Sequence, residues 1–199
     1  MNGLMLNDLT SMLSLLQTRR SGRPREMVAP GPSSAELDEI LKIAARVPDH
    51  GKLAPWRFVV VDKDQREEFG LLLRRALQAE DECAGPAHHE KADQFARQGE
   101  ALIVLISAPV PEHKIPLWEQ ELSAGAAAMN LLTAAHAMGY VGGWITGWQA
   151  YSPMVNAAFC KPGERIAGFI FLGSPGRELE ERPRPEMSEI AGRWMPPAD

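Results

Sequence analysis

The run Ala101-Leu102-Ile103-Val104-Leu105-Ile106-Ser107 constrains the fold of this 199-residue chain more than any other feature. A strand with one wet face alternates apolar and polar residues, whereas an unbroken apolar run must be covered on both faces. Phe58-Val59-Val60-Val61 reads as a second buried strand, and Arg165 to Gly173, centred on Phe169-Ile170-Phe171-Leu172, reads as a third. Helices are dispersed between these strands, which points to an α+β domain.

Leu4, Leu9, Met12, Leu13, Leu15 and Leu16 recur at helical spacing, so the chain opens with an amphipathic helix that stops at Gly22 and Pro24. Ser33-Ser34-Ala35-Glu36 reads as a capping box before a helix carrying Leu37, Ile40, Leu41 and Ala44, which ends ahead of Pro48. Phe69, Leu72, Leu73, Ala76 and Leu77 mark another helix. From Ala79 to Gln98 the pattern weakens and Gly85-Pro86 interrupts it, predicting an exposed, mobile segment that could cover a pocket. The longest helix runs from Trp118 to Met138, with Gly139 as its C-cap. Its middle, Ser123 to Ala128, is small enough to let a neighbouring helix or a second subunit approach closely. His136 on this helix reads as a core histidine. Gly142-Gly143-Trp144 reads as a turn, in which Gly142 and Gly143 remove side chains where something flat or another backbone must come close. Ser152-Pro153 starts a short helix through Ala158. The segment 174–199 is polar and proline-rich, an extended tail expected to wrap another surface. The chain is read as a single domain over 1–199.

Two basic stretches stand out. Arg19, Arg20 and Arg23 surround the Ser21 hydroxyl, a donor set suited to a phosphate. Basic residues at this place could also do no more than complement a helix dipole. Arg46, His50 and Lys52 sit on the connection between a helix and the strand entered at Pro55-Trp56-Arg57-Phe58, either as binding groups or as solvated charges.

A net charge of -5 argues against non-specific nucleic-acid binding but leaves room for a local anion pocket. Cys83 and Cys160 form no framework, which suits a reducing compartment. Asn7 and Asp8 interrupt the apolar start, no apolar run is long enough to span a bilayer, and a cytoplasmic protein is expected. His88-His89-Glu90 lacks metal-ligand spacing, so no metal site is expected.

Taken in order, Arg19-Arg20-Ser21, Arg46-Val47-Pro48-Asp49-His50, Pro55-Trp56-Arg57-Phe58, Trp118 to Gly125, Gly142 to Gly147 and Ile166 to Pro175 resemble the nitroreductase-like flavoprotein family, in its small, minimal branch. The resemblance implies an α+β fold with a mixed sheet flanked by helices, in an intertwined homodimer holding two FMN molecules at the subunit interface. It implies that Arg19, Arg20 and Ser21 hold the FMN phosphate and ribityl chain, with Arg23 near the flavin pyrimidine edge. Arg46 and His50 would contact the flavin of the partner subunit, Trp144, Ile145 and Thr146 would line its other side, and Arg182 and Arg184 would reach the phosphate.

The implied activity is two-electron transfer from NADH or NADPH through FMN to nitroaromatics, quinones or similar acceptors, with no catalytic side chain required. A Gly-x-Gly-x-x-Gly element is absent, so the nicotinamide would bind transiently at the flavin. The chain departs from the family in the polar stretch Pro24 to Ala29 and in having only 79–98 to stand over the pocket. Dehydrogenation or dehalogenation on the same flavin, a flavin carrier without turnover, and a dimer that has lost its flavin are the competing readings.

Overall fold

The computed structural model describes residues 5–197. Its helices are α1 (Met12–Thr18), α2 (Ser34–Ala44), α3 (Arg66–Glu80), α4 (Pro86–Arg97), α5 (Leu117–Ala137), α6 (Pro153–Phe159) and α7 (Met187–Ile190). Its strands are β1 (Met27–Val28), β2 (Trp56–Val60), β3 (Ala101–Ser107), β4 (Val141–Ile145) and β5 (Arg165–Pro175).

All seven residues of β3 are buried, as an unbroken apolar run requires. Strand alternation divides them between two cores. Leu102, Val104 and Ile106 join Phe69, Leu73, Phe95, Phe169 and Phe171 beneath α3, α4 and α6. Ala101, Ile103 and Leu105 join Ile40, Ala44, Leu131, Ile170 and Leu172 beneath α2 and α5. Truncating a fully buried side chain such as Ile103 to Ala in a core of this kind costs about 2–5 kcal/mol.

β5 lies at the centre, with β3 and then β2 on one side, β4 also paired to it, and β1 on its last two residues. Every one of these pairings is antiparallel, where the resemblance implied a mixed sheet. Two successive helices, α3 and α4, separate β2 from β3 and return the chain in the opposite direction.

The capping box is formed: Ser33 N–H donates to Glu36 Oε2 at 2.8 Å, and Glu36 N–H to Ser33 Oγ at 3.3 Å. Gly139 ends the α5 region at φ +88°, where glycine carries no steric penalty. Three expectations are corrected. The opening helix is shorter, starting at its Ser11 N-cap; Leu9 lies ahead of it, and Leu4 lies outside the described residues. Residues 86–97 form the helix α4, where the weakened pattern predicts none, with Pro86 starting the helix and Ala92, Phe95 and Ala96 buried. Arg74 pairs with Asp93 to tie α4 to α3. The glycine segment at 142–143 lies inside strand β4.

Candidate functional site

The loop after α1 lies flat on β4. Gly22 N–H donates to Gly142 O at 3.2 Å, and a Cβ placed on Gly143 would stand 2.7 Å from Gly22 O. The close approach anticipated at the paired glycines is thus made by the chain's own backbone. On this loop Arg19 Nη1 donates to Ser21 Oγ at 3.3 Å.

The tail returns to the same place. Arg20 Nε donates to Glu180 O at 2.7 Å, and Arg184 Nη2 donates to Glu181 Oε1 at 3.0 Å. Burial, then the charges of Arg184 and Arg20, push the Arg19 guanidinium below its ordinary value, with Glu181 opposing them. Three guanidinium groups and a hydroxyl therefore gather from the two ends of the chain, with positive charge in excess. This donor set fits a phosphate, since paired N–H groups match tetrahedral oxyanions and the charge surplus calls for an anion.

Arg23 and Arg182 stand differently. Arg23 is ion-paired to Glu26 at 3.2 Å and Glu180 at 3.7 Å. Arg182 contributes its backbone N–H to Glu181 Oε1 at 2.6 Å, while its side chain makes no hydrogen bond or ion pair among the described residues. Glu180 and Glu181 were not singled out in the sequence, where they are two of many acidic residues in a polar tail. His136 is fully buried, with Nδ1 2.6 Å from Leu132 O and Nε2 unpartnered; burial pushes its pKa down to about 4. It is a neutral core residue, as expected.

The second basic stretch is fastened along α5. Asp49 accepts from the backbone N–H groups of Leu53 and Ala54 at 3.0 and 2.8 Å. Ser123 Oγ donates to Pro48 O at 2.6 Å, and Asn130 Nδ2 donates to Arg46 O at 3.2 Å. Arg46 and Lys52 are exposed. His50 Nδ1 lies 2.7 Å from Glu119 Oε2, an interaction with no local sequence signal because the residues are 69 positions apart. Glu119 stands roughly 25 Å along α5 from His136, at about 1.5 Å per residue, and the Arg19-Arg20 loop packs near His136. Within one chain, His50 therefore does not reach the Arg19 cluster.

Strand alternation also separates the third group. Trp144, whose Nε1 donates to Ala167 O at 3.1 Å, and Thr146 share a cavity of about 480 Å³ with Glu121, Gly125 and Arg165. Ile145 faces a different cavity of about 890 Å³, beside Arg25, Trp148 and Gln149.

Residues 16–174 match the model of the Nitroreductase family. The chain is 35% identical over 167 residues to the Escherichia coli K12 protein named "Putative NAD(P)H nitroreductase YdjA", covering 82% of this chain and 87% of that one. Its fold is similar to the nitroreductase-like family protein from Bacillus cereus, with a TM-score of 0.79 at 22% identity over 92% of this chain and 95% of the other. It is also similar to a mutant of the FMN and NADPH-dependent nitroreductase NfnB from Sphigopyxis sp. strain HMH, with a TM-score of 0.70 at 16% identity over 92% and 98%. On the extent of the family match and the identity to YdjA, this chain belongs to the nitroreductase family.

Proposed function

We propose that the chain is an FMN-dependent oxidoreductase that passes electron pairs from NADH or NADPH to nitroaromatic, quinone or similar electron-poor acceptors. The observation that carries this reading is the convergence of Arg19, Arg20, Ser21 and Arg184, whose excess positive charge suits the FMN phosphate. The names of the relatives support it: YdjA is named for NAD(P)H and nitroreduction, NfnB for FMN and NADPH. Bound FMN would supply the redox chemistry itself. The chain's own residues bind and orient it: Arg19, Arg20, Ser21 and Arg184 at the phosphate, Arg23 towards the pyrimidine edge, Trp144 and Thr146 along the ring, and Arg182 from the tail; Ile145, which faces the other cavity, is left out of this set.

The acting unit in this reading is a homodimer of single-domain chains, with 174–199 as an arm on each. Trp118, Leu122, Gly125 and Met129 form one stripe along α5, and the three large side chains are 61%, 62% and 39% exposed. Nothing lies within 4 Å of a Cβ at Gly125, so the stripe has room for a second copy. Such a partner would also bring its Arg46 and His50 to the flavin, which His50 cannot reach within one chain. No described helix is long and apolar enough to cross a membrane, and Cys83 and Cys160 are free; the reading places the protein in the cytoplasm. The test is NAD(P)H oxidation by the FMN-loaded protein with nitroaromatic and quinone acceptors. Acceptor-dependent oxidation supports the proposal; bound FMN that neither NADH nor NADPH reduces contradicts it.

A further inference from the structure

We infer that Asn7 is a positioning residue for the loop that holds the FMN phosphate. This rests on the flavin reading above and extends it to a residue upstream of 16–174, the segment that carries the family match.

Asn7 Oδ1 accepts from Arg20 N–H at 2.7 Å, and Asn7 Nδ2 donates to Arg20 O at 3.2 Å. One planar amide thus occupies both hydrogen-bonding groups of a single residue, as a neighbouring strand would. The amide is itself held: Asn7 N–H donates to Thr18 O at 3.0 Å, and Asp8 N–H donates to Thr18 Oγ1 at 2.9 Å. Asn7 adopts φ +54°, a conformation that asparagine tolerates better than most residues. Fixing the Arg20 backbone fixes the directions in which its neighbours Arg19 and Ser21 leave the chain, and these two side chains bond each other. Without the amide, the loop keeps the Gly22–Gly142 bond and the contact of Arg20 with the tail at Glu180, but loses the bonds that hold the peptide groups between the phosphate ligands.

Asn7→Gly tests this, because glycine accepts φ +54° without strain and removes only the amide. The flavin-free protein is titrated with FMN and, separately, with riboflavin, which lacks the phosphate, while flavin fluorescence is followed. Two hydrogen bonds lost from the loop predict FMN binding weakened about tenfold and riboflavin binding changed by less than about twofold. Asn7→Asp keeps the acceptor for Arg20 N–H but sets a carboxylate oxygen against Arg20 O and a negative charge beside the phosphate loop, so it should weaken FMN binding at least as much as Asn7→Gly; it also serves if Asn7→Gly does not fold. Wild-type FMN affinity in both variants overturns the inference. So does an equal loss for FMN and riboflavin, which would make Asn7 a general support of the fold. A wild-type protein that binds neither flavin overturns the cofactor reading itself, an outcome distinct from either result with the variants.

Discussion

Gly143→Ala tests how the fold makes the site. The new Cβ would stand 2.7 Å from Gly22 O, 3.2 Å from Pro24 Cδ and 3.3 Å from Pro24 Cγ. The oxygen is backbone and cannot rotate away as a side chain could, so relief requires the loop to lift. Restoring an ordinary contact of 3.4 Å moves Gly22 O by about 0.7 Å, if it moves directly away. The same motion stretches the Gly22 N–H to Gly142 O bond from 3.2 Å towards about 3.9 Å, beyond hydrogen-bonding range. Overpacking costs about 1–3 kcal/mol and the lost bond about 1 kcal/mol, together about 2–4 kcal/mol. For a chain of this size that corresponds to a melting temperature lower by about 4–16 °C, at about 2–4 °C per kcal/mol. The loop that moves carries Arg19 and Ser21, so FMN binding should weaken more than riboflavin binding. The assay pairs a thermal melt of the flavin-free protein with titrations of both flavins. A variant that melts within a degree of the wild type and binds FMN unchanged would refute the claim that Gly143 lets the loop lie on β4.

Arg19→Ala should weaken FMN binding about 10- to 100-fold, the range for a lost hydrogen bond from a charged group, and unchanged affinity by fluorescence titration removes Arg19 from the phosphate site. Gly125→Trp fills open space on the single chain but blocks the α5 stripe, so the variant should sediment as a folded monomer that retains little flavin; a flavin-loaded monomer contradicts the shared-site model. Glu164 is pushed down to about 2 by the paired hydrogen bonds of Arg57, and then by Lys161 N–H. Because its folded pKa is depressed, this stabilisation is fully present above about 4.5, the ordinary value, and is lost as pH falls through about 2. A shift of that size bounds the effect at about 3 kcal/mol, and solvent screening around the partly exposed Arg57 reduces it to about 1–2 kcal/mol. Glu164→Gln should therefore destabilise the protein at pH 7 by that amount and flatten the decline between pH 4.5 and 2; denaturant melts across pH that retain the full acid sensitivity refute the assignment.

Where apolar spacing carried the signal, the sequence was enough: β3, α5, the capping box at Ser33 and the turn at Gly139 stand close to their expected places. The failures share a cause. β4 reads as a turn because Gly142 and Gly143 have low strand propensity, and its burial is supplied by Leu132 and Leu172 on one side and the Gly22 loop on the other. α4 reads as mobile because only Ala92, Phe95 and Ala96 meet the core, an i, i+3, i+4 triplet set in a polar helix. For the site, Arg19, Arg20 and Ser21 were visible as a local basic cluster. Their assembly with Arg184, the support from Asn7 and the pairing of His50 with Glu119 depend on contacts across 13 to 160 positions, which no local pattern carries. The split of Trp144 and Thr146 from Ile145 follows from strand alternation, which a turn at Gly142-Gly143 does not imply.

Whether the chain carries FMN on the Arg19 cluster is tested most directly by the visible absorption spectrum of the purified, gel-filtered protein, with the released cofactor identified by mass. The expected result is an oxidised-flavin spectrum and FMN at about one per chain. A colourless protein that takes up no added FMN would contradict it, leaving a nitroreductase-family fold whose basic cluster serves some other anion.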